Sequence, residues 1–191
     1  ITDRPDEVVP DADIILSTVP SNIFPRIVSL IAPYIKRNAW LGLMPGSGGV
    51  EFYTHELAKR TNCAVFGFQR VHGIARIKAY GRSVYDLGKK THLHLAAVSS
   101  ERTKAICSLM EELLGIRCNP LPNYLNVTLT PSNPILHTTR LYSMFHNYKE
   151  GMFWEDSIGF YEEWTDESSE VLLACDDELQ SMCRQIGVLD L

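Results

Sequence analysis

A chain of 191 residues, 45% hydrophobic and 21% charged, has the make-up of an ordinary soluble globular protein, long enough for one large domain or parts of two. Its formal net charge of -5, with no basic stripe to offset it, excludes a general nucleic-acid binder. No apolar run approaches the roughly 20 residues needed to span a bilayer, so no membrane partner is expected.

The chain opens Ile1-Thr2-Asp3-Arg4, with neither an initiator Met nor a charged-then-apolar leader. Asp13-Ile14-Ile15-Leu16-Ser17-Thr18-Val19-Pro20 is a continuous apolar run ended by proline, the pattern of a parallel strand buried on both faces. Ser21 and Asn22 are N-cap candidates for the next helix, with Pro25 in its first turn and an apolar stripe at Ile27, Leu30, Ile31, Tyr34 and Ile35. Residues 39–44 form the next strand, which makes a β-α-β unit with a right-handed crossover. Pro45-Gly46-Ser47-Gly48-Gly49 then leads into a helix over 50–60. Such a turn either lets a ligand approach the backbone beside a helix N-terminus or merely reverses the chain.

A third strand is expected at 64–68, with shorter ones around 84–87 and 92–98. A helix over 101–114 follows, striped by Ala105, Ile106, Leu109, Met110, Leu113 and Leu114 and stopped by Gly115. After a short link the pattern becomes helical. A helix over 136–148 turns Leu141, Met144 and Phe145 inward, and a loop over 151–160 is rich in aromatics. Thr165 caps a long helix with Val171, Leu172, Cys175, Leu179, Met182, Cys183 and Ile186 on its inner face.

The five cysteines, at 63, 107, 118, 175 and 183, are widely spaced, odd in number and without a CxxC pair. Reduced core thiols in a cytoplasmic protein fit that arrangement better than zinc or disulfides. His92 and His94 alternate on one strand face; without a third ligand nearby they read as a solvated face, and no metal is expected.

The chain turns on the stretch from Thr130 to Leu141, where β-like runs give way to helix and Asn133 and His137 stand four residues apart beside Pro131 and Pro134. A seam between an α/β and a helical domain is a usual place for a small-molecule site. Histidine is the side chain best suited to moving a proton near neutral pH. The bland reading is a histidine that satisfies the start of a helix. No GxGxxG strand-turn-helix unit occurs. The expected fold is therefore α/β: the second half of a Rossmann-like dinucleotide-binding domain (residues 1–120), followed by part of an all-helical domain (residues 121–191), within a longer polypeptide.

Several blocks together resemble the opine dehydrogenases, in particular the octopine and nopaline dehydrogenase family. They are residues 12–20, the Leu43-Met44-Pro45-Gly46-Ser47-Gly48-Gly49-Val50-Glu51-Phe52 block, residues 75–84, Leu136-His137, Phe160-Tyr161 and Leu172-Leu173-Ala174-Cys175. The likeness runs in order along nearly the whole chain. It implies reductive condensation of an amino acid with a 2-keto acid such as pyruvate, using NAD or NADP, with His137 as the catalytic histidine and its orienting carboxylate beyond Leu191. It also implies cofactor contacts at Thr18, Val19, Pro20 and Ala75, and substrate contacts at Ser47, Arg70 and Asn133. Gln69-Arg70-Val71-His72 departs from the family's Glu-Thr-Leu-Pro type of sequence there, so Arg70 either grips a substrate carboxylate or forms a surface ion pair. Asn133 either binds substrate or caps the helix. A homodimer is compatible with this reading. The competing expectations are a simple hydroxy- or keto-acid dehydrogenase, which would want a catalytic lysine in the helical domain where only Lys149 stands, and a non-catalytic binding or assembly fragment.

Overall fold

The computed structural model describes residues 2–130, 132–154 and 157–188, and of Ser132 the backbone alone. Pro131, part of the turning stretch, lies outside the described residues. The chain divides into two compact units, Ile1–Thr130 and Pro131–Leu191.

The first unit runs α1 (Pro5–Val8), β1 (Ile14–Ser17), α2 (Phe24–Ile31), β2 (Trp40–Leu43), α3 (Val50–Thr61), β3 (Ala64–Phe68), β4 (Gly73–Ala79), β5 (Ser83–Lys89) and β6 (His92–Ala97). A 3-10 turn (Ser100–Arg102), α4 (Thr103–Leu114), β7 (Arg117–Pro120) and α5 (Leu125–Thr128) complete it. The main sheet has the order β1-β2-β3-β6-β7, while among the described residues β4 and β5 pair only with each other. β1, β2 and β3 are parallel, β6 runs antiparallel to β3, and β7 is parallel to β6.

The parallel strands have the continuous apolar character that burial on both faces demands, and β3 is buried at every position. Opposite Phe66 in the ladder stands Gly42, where a Cβ would run into the Phe66 ring, so the glycine makes room for the largest core side chain. β1 departs from the expected full burial: Leu16 is exposed, because β1 has a strand neighbour on one side only among the described residues. α2 begins at Phe24 without a side-chain cap, one to two residues later than Ser21 or Asn22 would place it. Its buried face is Phe24, Val28 and Ile31, continued by Ile35; Leu30 and Tyr34, expected in the stripe, are exposed. The true stripe is offset because the helix starts on an apolar residue that itself enters the core. α4 ends at Gly115 in the left-handed conformation (φ 62°), as a glycine stop requires, although Leu113 faces solvent.

The second unit holds α6 (Ser132–Phe145) and α7 (Asp166–Ile186), which pack on each other. Thr165 caps α7 as its sequence predicts, its hydroxyl accepting from the Ser168 amide at 3.1 Å. The inner face of α6 differs from expectation: Leu141 and Phe145 are exposed, and Thr139 and Arg140 are the buried residues. Among the described residues no helix is long and apolar enough to cross a membrane.

Candidate active site

Because β1, β2 and β3 are parallel, the loops that follow them open on one rim of the sheet, the carboxyl edge where ligands of open α/β sheets sit. Thr18, Val19 and Pro20 follow β1; Thr18 and Pro20 are exposed, while Val19 is half-buried against the core. Ser47 lies in the turn after β2, half-buried, and its carbonyl accepts from the Tyr124 hydroxyl at 3.2 Å. Burial, then the nearby Glu51 charge, pushes the Tyr124 phenol above its ordinary value, so it stays a donor.

The glycines of this turn have a packing reason. A Cβ on Gly46 would strike Val127 and approach the Gly67 Cα and the Phe68 carbonyl to 3.1 Å; one on Gly48 would meet the Thr128 methyl at 2.7 Å. Gly49, left-handed at φ 81°, starts α3. The turn is thus pressed between β3 and α5. Two buried polar atoms beside it, Glu51 Oε2 and Thr128 Oγ1, have no hydrogen-bond partner among the described residues.

Past β3, Gln69 and Arg70 tie the segment around α5 to the rim. Gln69 Nε2 donates to the Asn126 carbonyl (3.2 Å) and Thr130 Oγ1 (2.8 Å), and Arg70 Nη2 donates to the Thr130 carbonyl at 3.1 Å. Arg70 is half-buried and in no ion pair among the described residues. Ala75 stands apart from the strand-end loops: it is exposed on β4, across from Asp86 of β5.

In the second unit Asn133 is exposed within the first turn of α6, and His137 follows one turn later, half-buried. His137 Nε2 lies 3.0 Å from the Tyr161 hydroxyl, and the Phe160 ring meets the imidazole edge-on with centroids 5.5 Å apart. One turn further, Arg140 is only 2% exposed. Its Nε donates to the Phe160 carbonyl (2.9 Å), Nη2 to the carbonyls of Gly159 (3.2 Å) and Glu163 (2.8 Å), and Nη1 to Ser168 Oγ (3.2 Å). Ser168 also bonds Ser143 and Thr165. Sequence reasoning missed both Arg140 and Tyr161. The only signal for the arginine is its place one turn beyond His137 on a helix short of apolar residues; for the tyrosine it is the Phe-Tyr pair ahead of the capped helix.

Other candidates lead elsewhere. His92 and His94 stand edge to face at 5.2 Å, and His94 is held below its ordinary value by burial and then by His92. Among the described residues no group of three or more His, Cys, Asp or Glu is placed to hold a metal ion. All five cysteines are free and four are buried.

Residues 120–191 match the family model described as NAD/NADP octopine/nopaline dehydrogenase, alpha-helical domain. The uncharacterized protein y4xO of Sinorhizobium fredii is 29% identical over 94% of this chain and 50% of its own length. The opine dehydrogenase of Haliotis discus hannai is 27% identical over 98% of this chain and 47% of its own. The chain is similar to opine dehydrogenases along nearly its whole length, and residues 120–191 match that family's helical domain. Its fold is similar to that of octopine dehydrogenase solved with NADH and L-arginine (TM-score 0.82, 22% identity, 96% of this chain and 46% of that one). The same enzyme solved with NADH and pyruvate gives a TM-score of 0.81. The chain spans about half the length of the curated relatives it matches.

Proposed function

We propose that the polypeptide carrying this chain is an NAD(P)-dependent opine-type dehydrogenase that joins the amino group of an amino acid to a 2-keto acid such as pyruvate, with His137 as general acid and base. The observation that carries this reading is the setting of His137. It lies in the segment that matches the family's helical domain, half-buried, against the Tyr161 hydroxyl and in no ion pair among the described residues. Residues 1–120 would form the dinucleotide-binding part and residues 121–191 the start of the helical substrate domain. Free, buried thiols are in keeping with a reducing, cytoplasmic setting.

The rim residues fit the nicotinamide end of the cofactor. The carboxyl edge of β1 to β3 is the usual ligand edge, and the orphaned Glu51 Oε2 and Thr128 Oγ1 leave unmet hydrogen-bonding capacity beside it. Thr18, Val19 and Pro20 on this rim are assigned to the cofactor; Ala75, exposed on β4 and apart from the rim, is assigned to it by the resemblance alone. The sequence holds no GxGxxG turn, so the pyrophosphate is not assigned to these residues. When bound, the reduced nicotinamide supplies the hydride. Ser47, Arg70 and Asn133 are assigned to the substrates. Arg70 donates from Nη2 to the Thr130 carbonyl, and its planar guanidinium is of the kind that grips a carboxylate. His137 in its acid form gives a proton to the keto oxygen that leaves as water when the amine takes its place, and as a base it takes one from the substrate ammonium.

The test is loss of NADH or NADPH absorbance with a panel of amino acids and keto acids, using the polypeptide that carries this sequence. Turnover that needs both substrates and falls at least about 100-fold in His137→Ala is expected. Oxidation of the cofactor by a keto acid alone would replace this reading with a simple keto-acid dehydrogenase. A folded, cofactor-binding protein with no turnover would sink the function altogether.

A further inference from the structure

Two rings of one turn stand against His137. The Tyr161 hydroxyl lies 3.0 Å from Nε2, and the Phe160 ring is nearly perpendicular both to the imidazole (84°, 5.5 Å) and to Tyr161 (76°, 4.8 Å). The turn is fixed from behind. The buried Arg140 guanidinium donates to the carbonyls of Gly159, Phe160 and Glu163, and the Glu163 carboxylate accepts from the Gly159 amide at 2.9 Å. Arg140 and His137 share α6, so one helix sets the place of both the imidazole and the phenol. Tyr161 itself is 59% exposed, so its oxygen is not sealed in the interior as the guanidinium is.

The resemblance implies a carboxylate from beyond Leu191 that orients His137. With Nδ1–H given to such a carboxylate, Nε2 is the nitrogen that faces the chemistry, and as a base it must be bare in the neutral ring. The Tyr161 hydroxyl is then the donor in the 3.0 Å bond. A phenol has one O–H to give and lone pairs with which to accept. Once the O–H is given to Nε2, the oxygen can only accept, and a ligand that meets it must bring a donor. Of the reacting groups of the two substrates, the amino group is the donor; the ionised keto acid offers oxygens alone.

We propose that Tyr161 is the contact for the amino group of the amino-acid substrate: its oxygen accepts an N–H of that group while its O–H donates to His137 Nε2. This rests on the acid/base role proposed for His137. The proton that His137 takes then travels through the phenol. An ammonium N–H bond breaks as an O–H bond forms on Tyr161, and the phenol's former proton passes to Nε2, leaving amine, phenol and imidazolium. On the return, the Nε2 proton goes to the phenol oxygen and the phenol's own proton to the hydroxyl that leaves as water. The phenol ends each transfer neutral.

The decisive variant is Tyr161→Phe, which keeps the ring and its contact with Phe160 and removes the hydroxyl alone. Calorimetry on the polypeptide that carries this sequence, with reduced cofactor present, would compare amino acids with their des-amino acids: L-arginine with 5-guanidinopentanoate, and L-alanine with propanoate. The native protein is expected to prefer an amino form by about tenfold, and Tyr161→Phe to erase that preference by weakening the amino form alone. In turnover, kcat/KM for the amino acid falls about tenfold while KM for the keto acid stays. A native protein without the preference, or a preference that Tyr161→Phe leaves intact, would overturn the inference. An intact preference beside an inactive His137→Ala would remove the contact and leave the function standing. An erased preference beside a fully active His137→Ala would uphold the contact and remove the acid/base reading.

Discussion

The buried residues of residues 2–130 are nearly all apolar, with Phe66, Phe68, Leu41, Leu95, Ile106 and Met110 out of solvent. Among residues 132–188 the buried set is Thr139, Arg140, Ser168, Cys183 and Val188. The sheet unit is thus held by area removed from water, which is indifferent to direction. The helical pair is held by directional bonds from one guanidinium and one serine, with Leu141, Phe145, Leu173 and Ile186 left exposed. An apolar core fixes a layer; a caged arginine fixes particular carbonyls, and through them the turn that presents Tyr161.

Substitutions should separate these two modes of support. Phe66→Ala empties the site over Gly42 and the contacts with Trp40 and Phe68, and should cost about 3–5 kcal/mol, measured by urea unfolding. Arg140→Met keeps the apolar stem and removes every bond to the 159–163 turn. It should cost about 2–3 kcal/mol, seen as a lower urea midpoint and a change in emission from Trp164, whose ring lies 5.8 Å from the guanidinium. If Arg140→Met proved neutral, the contrast between the units would collapse.

The smallest effect is alkaline. Burial pushes the thiols of Cys63 and Cys118 up to about 11 and that of Cys107 up to about 12, from an ordinary 9.0. The unfolded chain therefore ionises first as pH rises. The stability these thiols contribute is complete below pH 9.0 and is lost between there and about 12. Unfolding midpoints should fall from pH 8 to pH 11, and less steeply in Cys107→Ala.

The sheet was the legible part. β3, the helix after the glycine turn and the Gly115 stop all follow from apolar runs and left-handed glycine, which are local signals. β4 was not foreseen, although Ala75-Arg76-Ile77-Lys78-Ala79 alternates apolar and polar residues; among its residues only Gly73 is even half-buried. The inner face of α6 was misread because the sequence rule sends arginine outward, and only the carbonyls of residues 159–163, some twenty positions on, make Arg140 an interior residue. His137 was singled out in the sequence as a candidate. Its partner was not, since the pairing spans a loop with no periodicity.

Among the described residues the β4–β5 ribbon pairs only with itself, and every residue of its two strands except Gly73 is exposed. A two-stranded hairpin with so little buried surface is marginal by itself, so its opening costs a small fraction of the free energy that unfolds the five-stranded sheet. The ribbon can therefore come apart and re-form many times within the lifetime of the folded core. A protease given native protein would find its first cut between Gly73 and Lys89.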